Sequence, residues 1–458
     1  MSEQNIRTRI APSPTGNFHI GTARSALYNW LFAKKNNGSF ILRIEDTDKE
    51  RSKPEFERGI IESLKMLGLN WDEFYRQSDR TEIYKKYLEK LLESGKAFWC
   101  DHDHDYLENE QKGQSLRKEA PRHVCKQHSD HGVIRLAVSD SNEKIIFDDI
   151  VRGRVEFDAK LQGDFVIAKN LENPIFHFVV VVDDFEMNIS HVIRGEEHIS
   201  NTPKHIIIQQ SLGFTSPIYA HLPLITAADH SKLSKRHGAT SFNEFIDQGY
   251  IAQALLNYLF VLGYSAPEDK EILSLDEMVS IFDLNKVHKS GAIFDVKKLD
   301  WFNGEYMKKI DLEKFIEFLQ PYINIYFGEI ENEFINKVAP LMRERMTKFS
   351  DVAEFDYFFK ELEYDTDLLI WKKTTKDQVA DSLSSTLNII EKGYNDENDL
   401  RSKLDEQGAR LNDRGLVYWP FRVALSGKKF SPDPVNIAIV LGPKKVSERI
   451  KKAIDILK

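Results

Sequence analysis

Cysteine is scarce in this sequence: two residues, Cys100 and Cys125, among 458. That excludes a disulfide framework and predicts a reducing compartment, the cytosol. Long apolar runs are missing too. The longest, Phe178 to Val182, is far too short to span a bilayer, and Arg7 and Arg9 are followed by no apolar core of signal-peptide length. Neither an internal repeat nor a low-complexity tract is visible. Basic residues are not in excess: 63 Lys and Arg against 72 Asp and Glu give a net charge of −9. An indiscriminate nucleic-acid binder is thereby excluded, though not one that gathers its basic residues on a single face. What is present is an ordinary soluble composition, 41% hydrophobic and 29% charged, long enough for two to four domains.

The chain is organised around Arg9 to Asp48, which reads as strand, loop, helix, strand. Ile6 to Ala11 is a short apolar-rich run broken by Pro12, Pro14 and Gly16. From Thr22, the residues Ala23, Leu27, Trp30 and Leu31 recur at helical spacing until Asn36-Asn37-Gly38 ends the helix. Phe40 to Ile44 is a second strand, followed at once by Glu45, Asp46 and Asp48. A helix start offers free N–H groups and partial positive charge, so His19-Ile20-Gly21-Thr22 can seat a phosphate. Gly21 lets a base or ribose approach the backbone, and His19 can donate to a phosphate oxygen that gains charge. Taken alone, these four residues fit an ordinary crossover with a surface histidine better.

A remote signal changes the balance. Lys232-Leu233-Ser234-Lys235-Arg236 follows the strand-like run Ile218 to Thr226 and a polar loop, and its lysines suit a mobile loop closing on a polyphosphate. With Pro12-Ser13-Pro14-Thr15-Gly16, Ile44-Glu45-Asp46-Thr47-Asp48, Val192-Ile193-Arg194-Gly195-Glu196-Glu197, Asn201-Thr202-Pro203, Phe294-Asp295 and Lys298-Leu299-Asp300-Trp301, the chain resembles the glutamyl-tRNA synthetases of class I. The likeness runs from residue 7 to about residue 304, with a weaker echo from Trp419-Pro420 to Gly427.

That resemblance implies ATP-dependent ligation of L-glutamate to the 3′ end of tRNA-Glu through a glutamyl-adenylate. Magnesium would ride on the ATP phosphates, and no membrane would be involved. It implies phosphate contacts from His19, Lys232 and Lys235, and nucleotide contacts from Gly21, Glu197 and Ser234. Arg9 would hold the side-chain carboxylate of glutamate, Glu45 and Ser13 its ammonium, and Arg194 would lie near the α-carboxylate. Family members commonly carry a tyrosine where this chain has Phe176, so weaker glutamate binding is expected. Charging of tRNA-Gln as well, or chiefly, and a non-catalytic tRNA-binding paralogue are the alternatives. The paralogue would be expected to lose His19, Glu45, Arg194 or Lys235, and none is lost.

The expected architecture is α/β. A Rossmann-like, doubly wound catalytic fold occupies residues 1–95 and 175–238, and an acceptor-end-binding domain is inserted at 96–174. A stem-contact region follows at 239–309, then an all-α anticodon-binding region at 310–458. Ile175 to Val182 and Ser190 to Ile193 are predicted as strands, with Pro203 to Leu212 and Phe245 to Leu262 helical. Val352 to Leu362 is predicted helical, and Ile437 to Leu441 is the one strand-like run beyond Ile310. Several glutamyl enzymes carry a Cys-x-Cys…Cys-x-His structural zinc site in the insertion. Here the corresponding residues are Cys100, His102, Cys125 and His128, with a histidine in the second place and one extra residue before the last. Arg345 takes the family position of an anticodon-base contact, and the resemblance implies a monomer.

Overall fold

A computed structural model describes residues 5–120, 122–125, 128–138, 143–266 and 270–458, and at Lys235 the backbone alone. The chain forms two compact units, one reaching to Asp247 and including Ala252–Phe302, the other made of Gln248–Ile251 and Asn303–Lys458.

In the first unit, β1 (Arg7–Ile10) leads through a loop to α1 (Ile20–Lys35) and β2 (Ser39–Ile44). Ile20, Ala23, Leu27 and Leu31 of α1 are fully buried, and Asn37, at φ 52°, turns the chain sharply into β2. Next come α2 (Pro54–Met66), opened by proline at its first position, then β3 (Glu73–Arg76) and α3 (Thr81–Glu93). Residues 97–168 contribute β4 (Ala97–Cys100), α4 (His104–Leu116), β5 (Val133–Leu136), β6 (Lys144–Asp149), β7 (Gly153–Asp158) and β8 (Val166–Ala168). The chain continues through α5 (Phe176–Glu186), β9 (His191–Gly195), α6 (Thr202–Leu212) and β10 (Ile218–Leu222).

Strand β2 pairs in parallel with both β1 and β3, and β10 pairs in parallel with both β9 and β6. The two groups meet where Ser190 N–H donates to Arg7 O at 3.0 Å and Arg7 N–H to Ser190 Oγ at 2.8 Å. The strand sequence across the unit is therefore β3-β2-β1-β9-β10-β6, with β7 antiparallel at the edge. Strands β4, β5 and β8 form a separate antiparallel sheet.

Four expectations are corrected. Ile175–Val182 is not a strand: it opens α5, whose residues Phe178 to Asp184 are all buried. The predicted helix over Phe245–Leu262 is two helices, Phe242–Asp247 and Ala252–Val261, parted around Gly249 at φ 90°. In the second unit, Ile437–Leu441 belongs to the helical stretch Pro434–Leu457, which is interrupted at Gly442, and Phe349–Phe358 is a 3-10 segment rather than an α-helix. Otherwise that unit is built from helices Leu312–Phe327, Asn332–Arg343, Lys376–Lys392, Glu397–Arg410 and Gly415–Ser426. Among the described residues no helix is long and apolar enough to cross a membrane.

Candidate active site

Strands β1 and β9 are neighbours at the point where the strand order reverses. Open α/β sheets leave a crevice beyond the strand ends at such a point, and a cavity of about 390 Å³ opens here. Arg9, Ser13, His19, Gly21, Glu45, Phe176, Arg194, Glu197 and Lys232 all line it. Ser234 does not: its amide and hydroxyl both sit 3.2 Å from His237 Nδ1 within its own loop. The side chain of Lys235 lies outside the described residues.

On one side is the start of α1. His19 is its N-cap, and His19 Nδ1 accepts the Gly21 N–H at 3.0 Å. The ring proton must then sit on Nε2, where it is available for donation. Burial, and then the charge of Lys232, hold the His19 pKa below its ordinary value, so the ring is neutral at pH 7. A Cβ on Gly21 would lie 3.2 Å from His19 Nδ1, so a larger residue would disturb the cap. The chain just past the basic loop pins this corner: Ile20 N–H donates to Thr240 O at 3.0 Å and Phe242 N–H to Phe18 O at 2.8 Å. A neutral donor beside the positive end of a helix suits a polyphosphate.

On the other side is a web of buried charge. Arg9 grips Asp184 with two N–H groups, at 3.0 and 3.3 Å. Arg43, fully buried on strand β2, donates to Asp184 at 2.7 Å and to Glu45 at 3.1 Å. Asp183 accepts from Gln77, Arg80 and Tyr84 at 2.7 to 3.0 Å. Burial alone would raise the Asp184 pKa, but Arg9 and Arg43 more than offset this and hold it below the ordinary carboxylate value. For Glu45 the burial prevails over Arg43 and its pKa is raised. Pairing of this kind offsets the cost of burying these charges.

In the 97–168 region, Cys100, His102, His123 and Cys125 converge, with their ligand atoms all within 4.8 Å of one another. Cys100 Sγ lies 3.2 Å from His102 Nδ1 and 3.7 Å from His123 Nε2, and Cys125 Sγ lies 3.7 Å from His102 Nδ1. His128 is not part of this group, correcting the expected fourth member. Its ring stacks on Phe98 at 3.8 Å, and His123 stands in its place. His123 Nδ1 is 2.6 Å from a Glu110 carboxylate oxygen, the arrangement that orients a metal-binding imidazole through its far nitrogen. Two thiols and two imidazoles fit a closed tetrahedral zinc site.

Residues 5–301 match the model of a family described as tRNA synthetases class I (E and Q), catalytic domain. The chain belongs to this family. Residues 314–454 match an anticodon binding domain. The chain is 41% identical over 481 residues to a glutamate–tRNA ligase 2 of Thermoanaerobacter pseudethanolicus, covering 100% of this chain and 99% of that one. It is 40% identical over 474 residues to the glutamate–tRNA ligase of Aquifex aeolicus, covering 99% of each. A crystal structure of a glutamate tRNA ligase from Elizabethkingia meningosepticum, in complex with its amino acid, superposes with a TM-score of 0.88 at 31% identity, covering 99% of this chain and 100% of that one.

Sequence reasoning missed Arg43 and the partners of the buried arginines: Asp183, Asp184, His205 and His221. One signal was readable. Asp183-Asp184 is a pair of acids directly after an apolar run, and Arg43 is a cation inside one; both patterns imply burial with a partner. His205 and His221 gave no such sign.

Proposed function

We propose that the chain ligates L-glutamate to the 3′ end of tRNA-Glu in two steps at this cavity, with glutamyl-adenylate between them and AMP and pyrophosphate released. The observation that carries the reading is the pairing of two unlike walls around one space. One wall, His19 and the start of α1, suits phosphate; the other, Arg9, Arg194 and Glu45, suits an amino acid bearing a second carboxylate. Catalysis in such a transfer is chiefly alignment and charge stabilisation. His19 donates from Nε2 to a phosphate oxygen, and Lys232, with Lys235, meets the charge that develops as pyrophosphate leaves. Gly21 and Glu197 serve the nucleotide side. Glu45 and Ser13 take the ammonium, and Arg9 and Arg194 take the carboxylates, with Phe176 between. Magnesium enters with ATP as part of the substrate.

Cys100, His102, Cys125 and His123 would hold a zinc ion. Such a closed site supplies structure and leaves no coordination position for chemistry. Residues 96–174 would receive the acceptor end and residues 310–458 the anticodon. The chain would work as a monomer in the cytosol.

The test is charging of purified tRNA-Glu and tRNA-Gln with labelled glutamate. Glutamate is expected on tRNA-Glu, and His19→Ala should slow this by at least about a hundredfold, the usual effect of losing one well-placed donor. Preferential charging of tRNA-Gln would reassign the RNA partner. Binding of tRNA without charging would identify a non-catalytic paralogue.

A further inference from the structure

Arg194 differs from the arginines of the charged web in what it touches, as does Arg24, another buried arginine of the cavity wall, which donates to Leu262 O and Pro223 O. Arg9 and Arg43 are both met by carboxylates. The buried guanidinium of Arg194 donates instead to two imidazoles and two uncharged oxygens. Nε–H reaches His221 Nε2 at 3.1 Å and Nη1–H reaches His205 Nδ1 at 3.2 Å. Nη2–H reaches Thr202 Oγ1 at 2.9 Å and His198 O at 3.3 Å. The Tyr219 ring lies 5.7 Å from its central carbon.

These bonds fix where the ring protons sit. A guanidinium only donates, so His221 Nε2 and His205 Nδ1 must both be bare. The His221 proton is then on Nδ1, where Asp149 Oδ2 accepts it at 2.6 Å. The His205 proton is on Nε2, facing His177 Nδ1 at 3.3 Å. Both rings are neutral acceptors, aimed by groups behind them. Burial and the charge of Arg194 push the His205 pKa well below its ordinary value, in keeping with this arrangement.

We propose that His205 and His221 are positioning residues that orient Arg194 while leaving its positive charge unneutralised, so that a carboxylate of glutamate becomes its counter-ion. This rests on Arg194 being a carboxylate-binding residue of the synthetase. A neutral acceptor is the one chemical class that serves both ends. An acid at either position would hold the guanidinium equally well but compete with the substrate for its charge. A protonated ring would repel it. An apolar side chain would leave donors unsatisfied and the fork free to turn.

Four variants of the full-length chain decide the matter, read as separate glutamate and ATP KM values, kcat, and thermal midpoint. His205→Leu should raise the glutamate KM about tenfold or more, the usual scale for a hydrogen bond to a charged group, with the ATP KM nearly unchanged. His205→Gln, which keeps a neutral acceptor, should recover most of this. His205→Glu is the deciding case. If His205 serves only the fold, the new ion pair should preserve both midpoint and KM; on the proposal the midpoint holds while the glutamate KM rises at least as far as in His205→Leu. A wild-type glutamate KM in His205→Glu overturns the proposal. Should either the Leu or the Glu variant fail to fold, the remaining one compared with Gln still separates the two outcomes. Arg194→Gln is the control for the underlying reading. An unchanged glutamate KM there removes Arg194 from the site, whereas a raised one beside silent His205 variants rejects the positioning role alone.

Discussion

On the proposed reading, the missing hydroxyl at Phe176 sets the division of labour in the cavity. Phe176 lines the wall at the first turn of α5, its ring 6.3 Å from that of His198. A phenyl ring gives a carboxylate nothing to bond; on this reading recognition then falls on Arg9 and Arg194, and Arg9 is already shared with Asp184. Phe176→Tyr is expected to lower the glutamate KM several-fold, since one neutral hydrogen bond is worth about 0.5–1.5 kcal/mol, and to leave the ATP KM alone. A higher or unchanged value would mean that a tyrosine hydroxyl at this position does not reach the amino acid. That Phe176 belongs to this wall was legible from the family motif, but the secondary structure assumed for it was not. Alternation along a strand would have sent His177 to the opposite face. On a helix the two residues are about 100° apart, and His177 lies against His205.

At the scale of elements, the misreading of α5 has a definite cause. Val179 to Val182 are β-branched and wholly apolar, and every one of them is buried because the helix is covered on all sides. Periodicity vanishes in such a segment, and a short buried helix and a short buried strand then look alike. Ile437–Leu441 failed because five consecutive apolar residues hide the helical period even where the helix is wet, as at the exposed Ile439. By contrast, α1 and α6 were readable to within a few residues because turn formers bound them: Asn36-Asn37-Gly38 closes α1, and Pro203 and Gly213 bracket α6. The cysteine–histidine cluster was legible in part: the family resemblance pointed to three of its four members, whereas the choice of His123 over His128 depends on α4 bringing Glu110 behind the ring. Metal analysis of chelator-free protein is expected to find about one zinc per chain. His123→Ala should lose it and lower the thermal midpoint, while His128→Ala should keep it. Retention of zinc in His123→Ala would return the fourth place to another residue.

For the whole molecule, buried histidines govern behaviour in acid. Burial pushes the pKa of His191 down to about 4, and burial with the charges of Lys204 and Arg194 does the same for His177. In the unfolded chain both return to about 6.5. Between those values the unfolded state binds the additional protons, so stability falls as pH drops through the window, by up to about 1.4 kcal/mol per pH unit for each ring. The thermal midpoint is expected to decline steadily from pH 6.5 to 4.5, with a shallower decline in His191→Gln. A midpoint flat across that range would show that these rings titrate normally. In the second unit Arg345 is exposed, as a base-reading side chain must be. Arg345→Gln is expected to shift the ratio of tRNA-Glu to tRNA-Gln charging, measured on purified RNAs.

The charged web has a further consequence, for the order of events during synthesis. Arg43 and its partner Asp184 are separated by 141 positions, and Arg9 waits 175 positions for the same carboxylate. At roughly 5–20 residues per second, the ribosome needs about 7–30 s to make the shorter of those intervals. Throughout it, β1 and β2 contain cations that cannot enter an apolar interior without their acids. The nascent amino-terminal segment should therefore stay open and protease-sensitive until α5 has left the exit tunnel, then close abruptly. Stalled chains of increasing length, probed by pulse proteolysis, should show protection of residues 7–44 only once Asp184 is exposed. Earlier protection would mean that the strands assemble with Arg43 still hydrated.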